Sequence, residues 1–328
     1  MMRDVRDKIK YILITLIRMI LLLFGVTVLG FILVVSSPID PLDAFGGGEV
    51  GMSPERRAFI SAHWGLDKTK TERYFIWLGN ILKGDMGDSI TFRRPVSEVI
   101  ANGIAASLAL MLSAWVLSGI LGFVLGVAAG SLEHSLFDKC VRGFCFVLAS
   151  TPVFWLGLLL LMVFSVYLGW FPLGFGTPIG MAAADVKFGD RIYHLILPAL
   201  TLSITSVANI TLHTRQKLID ILKTEYMLFA QARGETKRQA VIRHGLRNIA
   251  PPALTLQFAS FSELFGGSVL AESVFSYPGL GNAAVKAGLA GDAPTLLGVA
   301  LFAAIFVFAG NLCANILYGV LNPQIRNV

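Results

Sequence analysis

Glu225-Tyr226-Met227-Leu228-Phe229-Ala230-Gln231-Ala232-Arg233-Gly234 opens the stretch on which the reading of this chain turns. It continues through Glu235-Thr236-Lys237-Arg238 and closes on His244-Gly245-Leu246-Arg247-Asn248. The stretch is polar, basic and helix-prone, and it lies between two long apolar runs. Such an island belongs in water while its flanks belong in something apolar. Ala230, Ala232 and Gly234 place small residues where a close partner surface, or a sharp turn at Gly234, leaves no room for bulk. The expectation is a short helix and turn, from Glu225 to about Gln239, that another protein grips.

Composition says what the flanks are. The 328 residues are 55% hydrophobic and 15% charged, with a mean hydropathy of +0.70. Soluble domains carry nearer a quarter charged residues, so an ordinary soluble core is excluded. The net charge of +6 is that of basic cytoplasmic loops against anionic headgroups, not of a nucleic-acid binder. Cys140, Cys145 and Cys313 all sit in apolar runs, without metal-type spacing or a disulfide framework. No cofactor or metal site is read from the sequence.

Working outward, six apolar spans are expected: Tyr11 to Val35, Ile104 to Ala129, Val141 to Leu168, His194 to about Leu212, Pro251 to about Leu270, and Leu296 to Leu317. About 20 apolar residues cross a bilayer. The first run is too long for a signal-peptide core, and Arg18 within it is expected to snorkel to headgroups. Residues 1–10 form a short basic terminus and 36–97 a polar extramembrane segment. Residues 98–328 form the main membrane domain, with the basic loop at 214–248. Within 36–97, Ser53-Pro54-Glu55 reads as a helix start that runs to Gly65, and His63 reads as an ordinary half-buried helix residue. Gly119, Gly122, Gly126 and Gly130 predict close helix packing in the second span. Pro152 predicts a bend in the third. The positive-inside rule puts both termini and the 214–248 loop in the cytoplasm and 36–97 outside.

The basic stretch resembles the cytoplasmic coupling loop of ATP-binding-cassette importer permeases, in their peptide and nickel branch. That branch reads as an acidic residue, Tyr, a spacer, Ala-x-Ala-x-Gly, a basic run, and His-x-Leu-Arg-Asn before a Pro. Glu225, Tyr226, Ala230, Ala232, Gly234, His244, Leu246, Arg247, Asn248 and Pro252 fall in that order. Leu228 and Phe229 depart from the shorter general motif, standing where its Glu and first Ala would be. Gly84-Asp85-Met86-Gly87-Asp88-Ser89, Glu272-Ser273-Val274-Phe275 through Pro278-Gly279-Leu280-Gly281, and the terminal Asn322-Pro323-Gln324-Ile325-Arg326 also resemble the branch.

The resemblance implies an all-α integral membrane fold of six transmembrane helices, with an external segment and a cytoplasmic coupling helix. It implies a heterodimer with a second related permease, two cytoplasmic ATP-binding subunits that seat the coupling helices, and an extracytoplasmic solute-binding protein. The membrane would be the cytoplasmic membrane of a bacterium or archaeon. The cargo would be di- or oligopeptides, with nickel or a metal chelate as the alternative. The chain has no phosphate-binding Gly-x-x-x-x-Gly-Lys-Ser/Thr, so it is not expected to be an enzyme, and ATP hydrolysis falls to a partner. A secondary transporter or channel would need coupling-ion carboxylates and usually internal repeats. A membrane protease would need Ser260, Ser262 and His213 brought together, which no motif does.

Glu263 stands deep in the fifth span by residue count. A carboxylate at mid-membrane costs roughly 2.5–3.5 kcal/mol on insertion scales, so it should face a wet cavity or the bundle interior. Glu263, Gly266, Gly267 and Pro152 are the candidate lining of a translocation path.

Overall fold

The computed structural model describes residues 2–37, 53, 55, 58, 61, 67–181 and 185–321, with side chains from 14 to 312 except that of residue 262. Most of the expected 53–65 helix, His63, Cys313 and the 322–326 ending lie outside the described residues or side chains. Every named element is helical: α1 (Met2–Val35), α2 (Lys70–Leu82), α3 (Val96–Ser131), α4 (Leu136–Ala149), α5 (Val153–Leu160), α6 (Phe188–Leu222), α7 (Glu225–Ala232), α8 (Lys237–Ala240), α9 (Leu246–Ala259), α10 (Phe261–Val274), α11 (Leu280–Leu289) and α12 (Ala293–Leu321). Wider π turns extend α5 through Leu161–Tyr167 and join α8 to α9 through Val241–Gly245. The chain divides into two compact units, Met1–Ala106 with Pro278–Ala309, and Ser107–Tyr277 with Gly310–Val328.

In the first unit, Val96, Ile100, Leu280 and Val299 form a buried cluster. It is tight because a Cβ on Gly298 would lie 2.7 Å from Val96. The Gly-Asp-x-Gly-x-Ser motif ends on a polar lock. Asp292 caps the start of α12 and is fully buried. Its Oδ2 accepts from Ser89 Oγ at 2.6 Å, Thr91 N at 2.9 Å and Thr295 Oγ1 at 2.8 Å. A buried carboxylate needs this many donors, and they pin the 84–95 turn to α12. The helix start at α2 is a capping box, with Thr69 and Glu72 satisfying each other's backbone N–H.

In the second unit, the glycine stripe of α3 packs on α6. A Cβ on Gly122 would meet Ile210 at 2.7 Å, and one on Gly126 would meet Thr211 O and Thr214 Cβ at 2.7 Å. The helix backbones approach because nothing larger than hydrogen separates them. A second tie comes from charge: Asp138, fully buried, accepts both Arg215 Nε and, at 2.7 Å, Arg215 Nη2. His134 N also donates to Asp138 at 3.1 Å. The pair is bidentate and shielded from water, so it joins α4 to α6 firmly.

Among the described residues, four helices are long and apolar enough to cross a membrane, in Ile14–Val35, Val96–Ser131, Phe188–Leu222 and Ala293–Leu312. A fifth crossing is reached only if α4 and α5 count together, and they meet at 108°. The expected third span is therefore an elbow rather than a bent rod. Pro152 carries no N–H and disfavours helix in the residue before it; Thr151 N donates to Leu148 O at 3.1 Å, the carbonyl that Pro152 cannot reach, and Thr151 Oγ1 donates to Val147 O at 2.7 Å. The expected fifth span is likewise divided, α9 and α10 meeting at Ser260. Each has 14 residues, or about 21 Å, short of the ~30 Å hydrocarbon thickness. Ser260 Oγ bonds back to Gln257 O at 2.9 Å, an alternative to the helical ladder that favours a break.

Candidate coupling site

The basic stretch folds as two short helices around a glycine turn. Thr224 is extended, with φ −75° and ψ 152°, and starts α7. Glu225 follows in the first turn, where a negative charge suits the helix dipole. Met227 is fully buried and Ala230 is 7% exposed, so this face rests on the chain itself. Leu228 and Phe229, 56% and 64% exposed, point the other way, and the Arg233 guanidinium sits 5.9 Å over the Phe229 ring. Gly234 then turns with φ +93° and has nothing within 4 Å of a Cβ position. Backbone conformation therefore requires this glycine; crowding within the chain does not. Thr236 and Gln239 form a capping box that starts α8.

Polar contacts from two side chains, Asn248 and Glu235, fold the loop back on itself. Asn248 Nδ2 donates to Tyr226 Oη at 3.1 Å and to His244 O at 2.9 Å. Glu235 lies 3.4 Å from both Arg243 Nη1 and His244 Nε2. Tyr226, His244 and Asn248 are thus brought together. Glu225, Ala232 and Arg247 lie exposed. Within this chain Ala230 faces inward. Sequence reasoning did not single out Glu235, Arg243 or Met227. Met227 and Ala230 do lie three residues apart on one helical face, a spacing that marks a buried stripe. Beneath the loop, Leu218, Val241 and Ile249 form a buried cluster that seats it on α6.

The candidate path residues are distributed differently from expectation. Glu263 stands in the first turn of α10, just past the break, not midway along one continuous span. It is exposed, and so are Gly266 and Leu270 three and seven residues on, which places the three on one face. Gly267 instead packs on α6, where a Cβ would meet Leu202 at 2.8 Å. Pro152 occupies the elbow between α4 and α5. The deeply buried carboxylate of this region is Glu272, fully buried and accepting from Ser107 Oγ at 2.6 Å. It lies inside the Glu-x-Val-Phe motif, the signal that could have found it. A part-buried polar contact crosses from α3 to α9: Trp115 Nε1 donates to Gln257 O at 2.8 Å.

A short helix that buries one face and offers Leu228 and Phe229 on the other presents a surface suited to binding. Residues 122–327 match the family model described as binding-protein-dependent transport system inner membrane component. The chain belongs to this family. It is 35% identical over 308 residues to an oligopeptide transport system permease protein of Bacillus subtilis, covering 93% of this chain and 95% of the relative. It is 34% identical over 319 residues to a di/tripeptide transport system permease protein of Pseudomonas aeruginosa, covering 93% and 95%. The dipeptide transport system permease protein of Escherichia coli is 33% identical over 321 residues, with 92% and 94% covered. The family match begins within α3 and takes in the whole 225–248 stretch. Its several long apolar helices and this family's description make it a multi-pass membrane component of a transport system.

Proposed function

We propose that the chain is a permease subunit of an ATP-driven importer of di- and oligopeptides. It pairs with a second related permease, and each contributes a coupling helix to one of two cytoplasmic ATP-binding subunits. An extracytoplasmic binding protein delivers the solute. The observation that carries the reading is α7, a short helix with an inward face that is satisfied and an outward apolar face, Leu228 and Phe229, that is not. In water such a pair calls for a partner surface. The peptide cargo is supported by the relatives, whose names state oligopeptide, di/tripeptide and dipeptide transport. Nickel or a metal chelate is the competing cargo.

On this reading the divided helices α4–α5 and α9–α10 each count as one crossing, so the chain crosses six times with both termini and α7 in the cytoplasm of a bacterium or archaeon. Glu263 and Gly266 share an exposed face of α10 that lines the path at the permease dimer interface, beside Gly267 and the Pro152 elbow. The carboxylate there favours cationic cargo.

Uptake by the complete transporter in proteoliposomes tests both claims. Neutral and cationic dipeptides should enter in an ATP-dependent manner, while nickel should not. Glu263→Gln keeps the shape and should reduce uptake of the cationic peptide more than that of the neutral one. Equal effects on both peptides would return Glu263 to a structural role, and nickel uptake without peptide uptake would replace the cargo.

A further inference from the structure

A groove of about 450 Å³ lies in the first unit, at the end of α1 and the start of α12. Its walls are apolar: Leu33, Val34 and Val35 on one side, Leu296 and Leu297 on the other. Its floor is closed because α1 and α12 nearly touch, a Cβ on Gly30 being placed 3.2 Å from Leu297. One charged side chain lines it, Arg73 of α2.

Arg73 is held there by its neighbour. Tyr74 packs its ring edge-on against Phe31 of α1 with centroids 5.3 Å apart. The Tyr74 hydroxyl also pairs with Thr27 Oγ1 at 3.1 Å. With α2 fixed to α1 in this way, Arg73 is turned to the groove, half-buried. Among the described residues no carboxylate pairs with its guanidinium. Burial holds that guanidinium below its ordinary range. A half-buried cation is stabilised by a nearby negative charge, so an anion would suit this site.

The anion must suit its surroundings. The end of α1 marks where an apolar span gives way to Ser36 and Ser37, so the groove sits at headgroup level. Leu29, Ile32 and Leu33 of the same helix are 64%, 54% and 72% exposed, so its apolar wall continues into the surface that faces the acyl chains. We propose that this groove binds one anionic phospholipid, its phosphate on Arg73 and the upper part of a chain against Leu33 and Leu297. A guanidinium matches phosphate in a planar, two-pronged way that an ammonium does not. The groove, roughly fifteen water volumes in size, has room for a headgroup with the first carbons of a chain. The site lies outside the coupling loop and does not rest on the cargo.

Native mass spectrometry of the full-length chain, extracted from vesicles of phosphatidylglycerol and phosphatidylcholine and then delipidated, tests this directly. The wild type should keep one phosphatidylglycerol. Arg73→Gln should lower that occupancy by about tenfold, the worth of one charge-assisted hydrogen bond. Gly288→Leu should do the same by filling the groove with its charge intact, since Gly288 lines it and has only Leu296, at 4.0 Å, near its Cβ position. It keeps the test decisive if Arg73→Gln fails to fold. Lys83→Gln, on the exposed end of the same helix, should change nothing. Equal retention in Gly288→Leu and wild type, or equal loss in Lys83→Gln, would reduce the effect to bulk lipid attraction and overturn the site. Displacement of the lipid by millimolar inorganic phosphate or by a dipeptide would overturn it too, in favour of a soluble anion.

Discussion

Gly234 joins the coupling loop's sequence to its shape. Its φ of +93° is a conformation in which an L side chain costs roughly 1–2 kcal/mol, and it sets the angle between α7 and α8. Gly234→Ala should weaken the turn, and Gly234→Trp should add bulk to a docking surface. The Trp variant should insert normally, yet ATP hydrolysis should continue with uptake lost. Parallel assays of ATPase rate and peptide uptake check this, and normal uptake by the Trp variant would remove the loop from the coupling path. Much of this was legible in the sequence, because Gly234 follows a helical pattern where a left-handed residue commonly ends a helix. The pairing of Glu235 with Arg243 and His244 was not legible. It depends on how far the chain folds back after the turn, and no local spacing encodes that.

At the scale of elements, packing was read well and continuity was not. The glycines of α3 announced a close neighbour, and α6 fills that role with its own backbone in reach of Gly126. Pro152 announced a bend, but the 108° elbow depends on Ser150 and Thr151 leaving the helix as well, and a hydropathy run cannot show it. The break at Ser260 is hidden for the same reason, since a single polar residue does not interrupt an apolar average. The Asp138–Arg215 tie joins residues 77 apart in sequence and belongs to tertiary structure alone. Removing one partner leaves a buried charge uncompensated, which costs about 3–5 kcal/mol. Asp138→Ala should therefore lower the thermal unfolding temperature of the purified protein by several degrees. Arg142→Ala, whose Nε is 3.7 Å from the same carboxylate and whose side chain is 39% exposed, should have a much smaller effect. Fluorescence-detected thermal unfolding of both variants separates the two contributions.

For the whole molecule, composition, hydropathy and the coupling-loop pattern led to a multi-pass membrane transport subunit, and the family match over residues 122–327 agrees. Orientation rests on the basic clusters, from which Asp85 should lie outside and Arg238 inside. Single cysteines at the two positions, treated in intact cells with an impermeant thiol reagent, should label at 85 and not at 238; the reverse pattern would invert the topology. The central claim is narrower: this permease receives its energy through the exposed face of α7. A photocrosslinking residue in place of Leu228, activated in intact cells, tests it most directly. The account predicts one dominant adduct, to an ATP-binding subunit, lost when Phe229 is also changed to Glu. Adducts to lipid alone, or the same adduct yield from an exposed position such as Lys83, would contradict it.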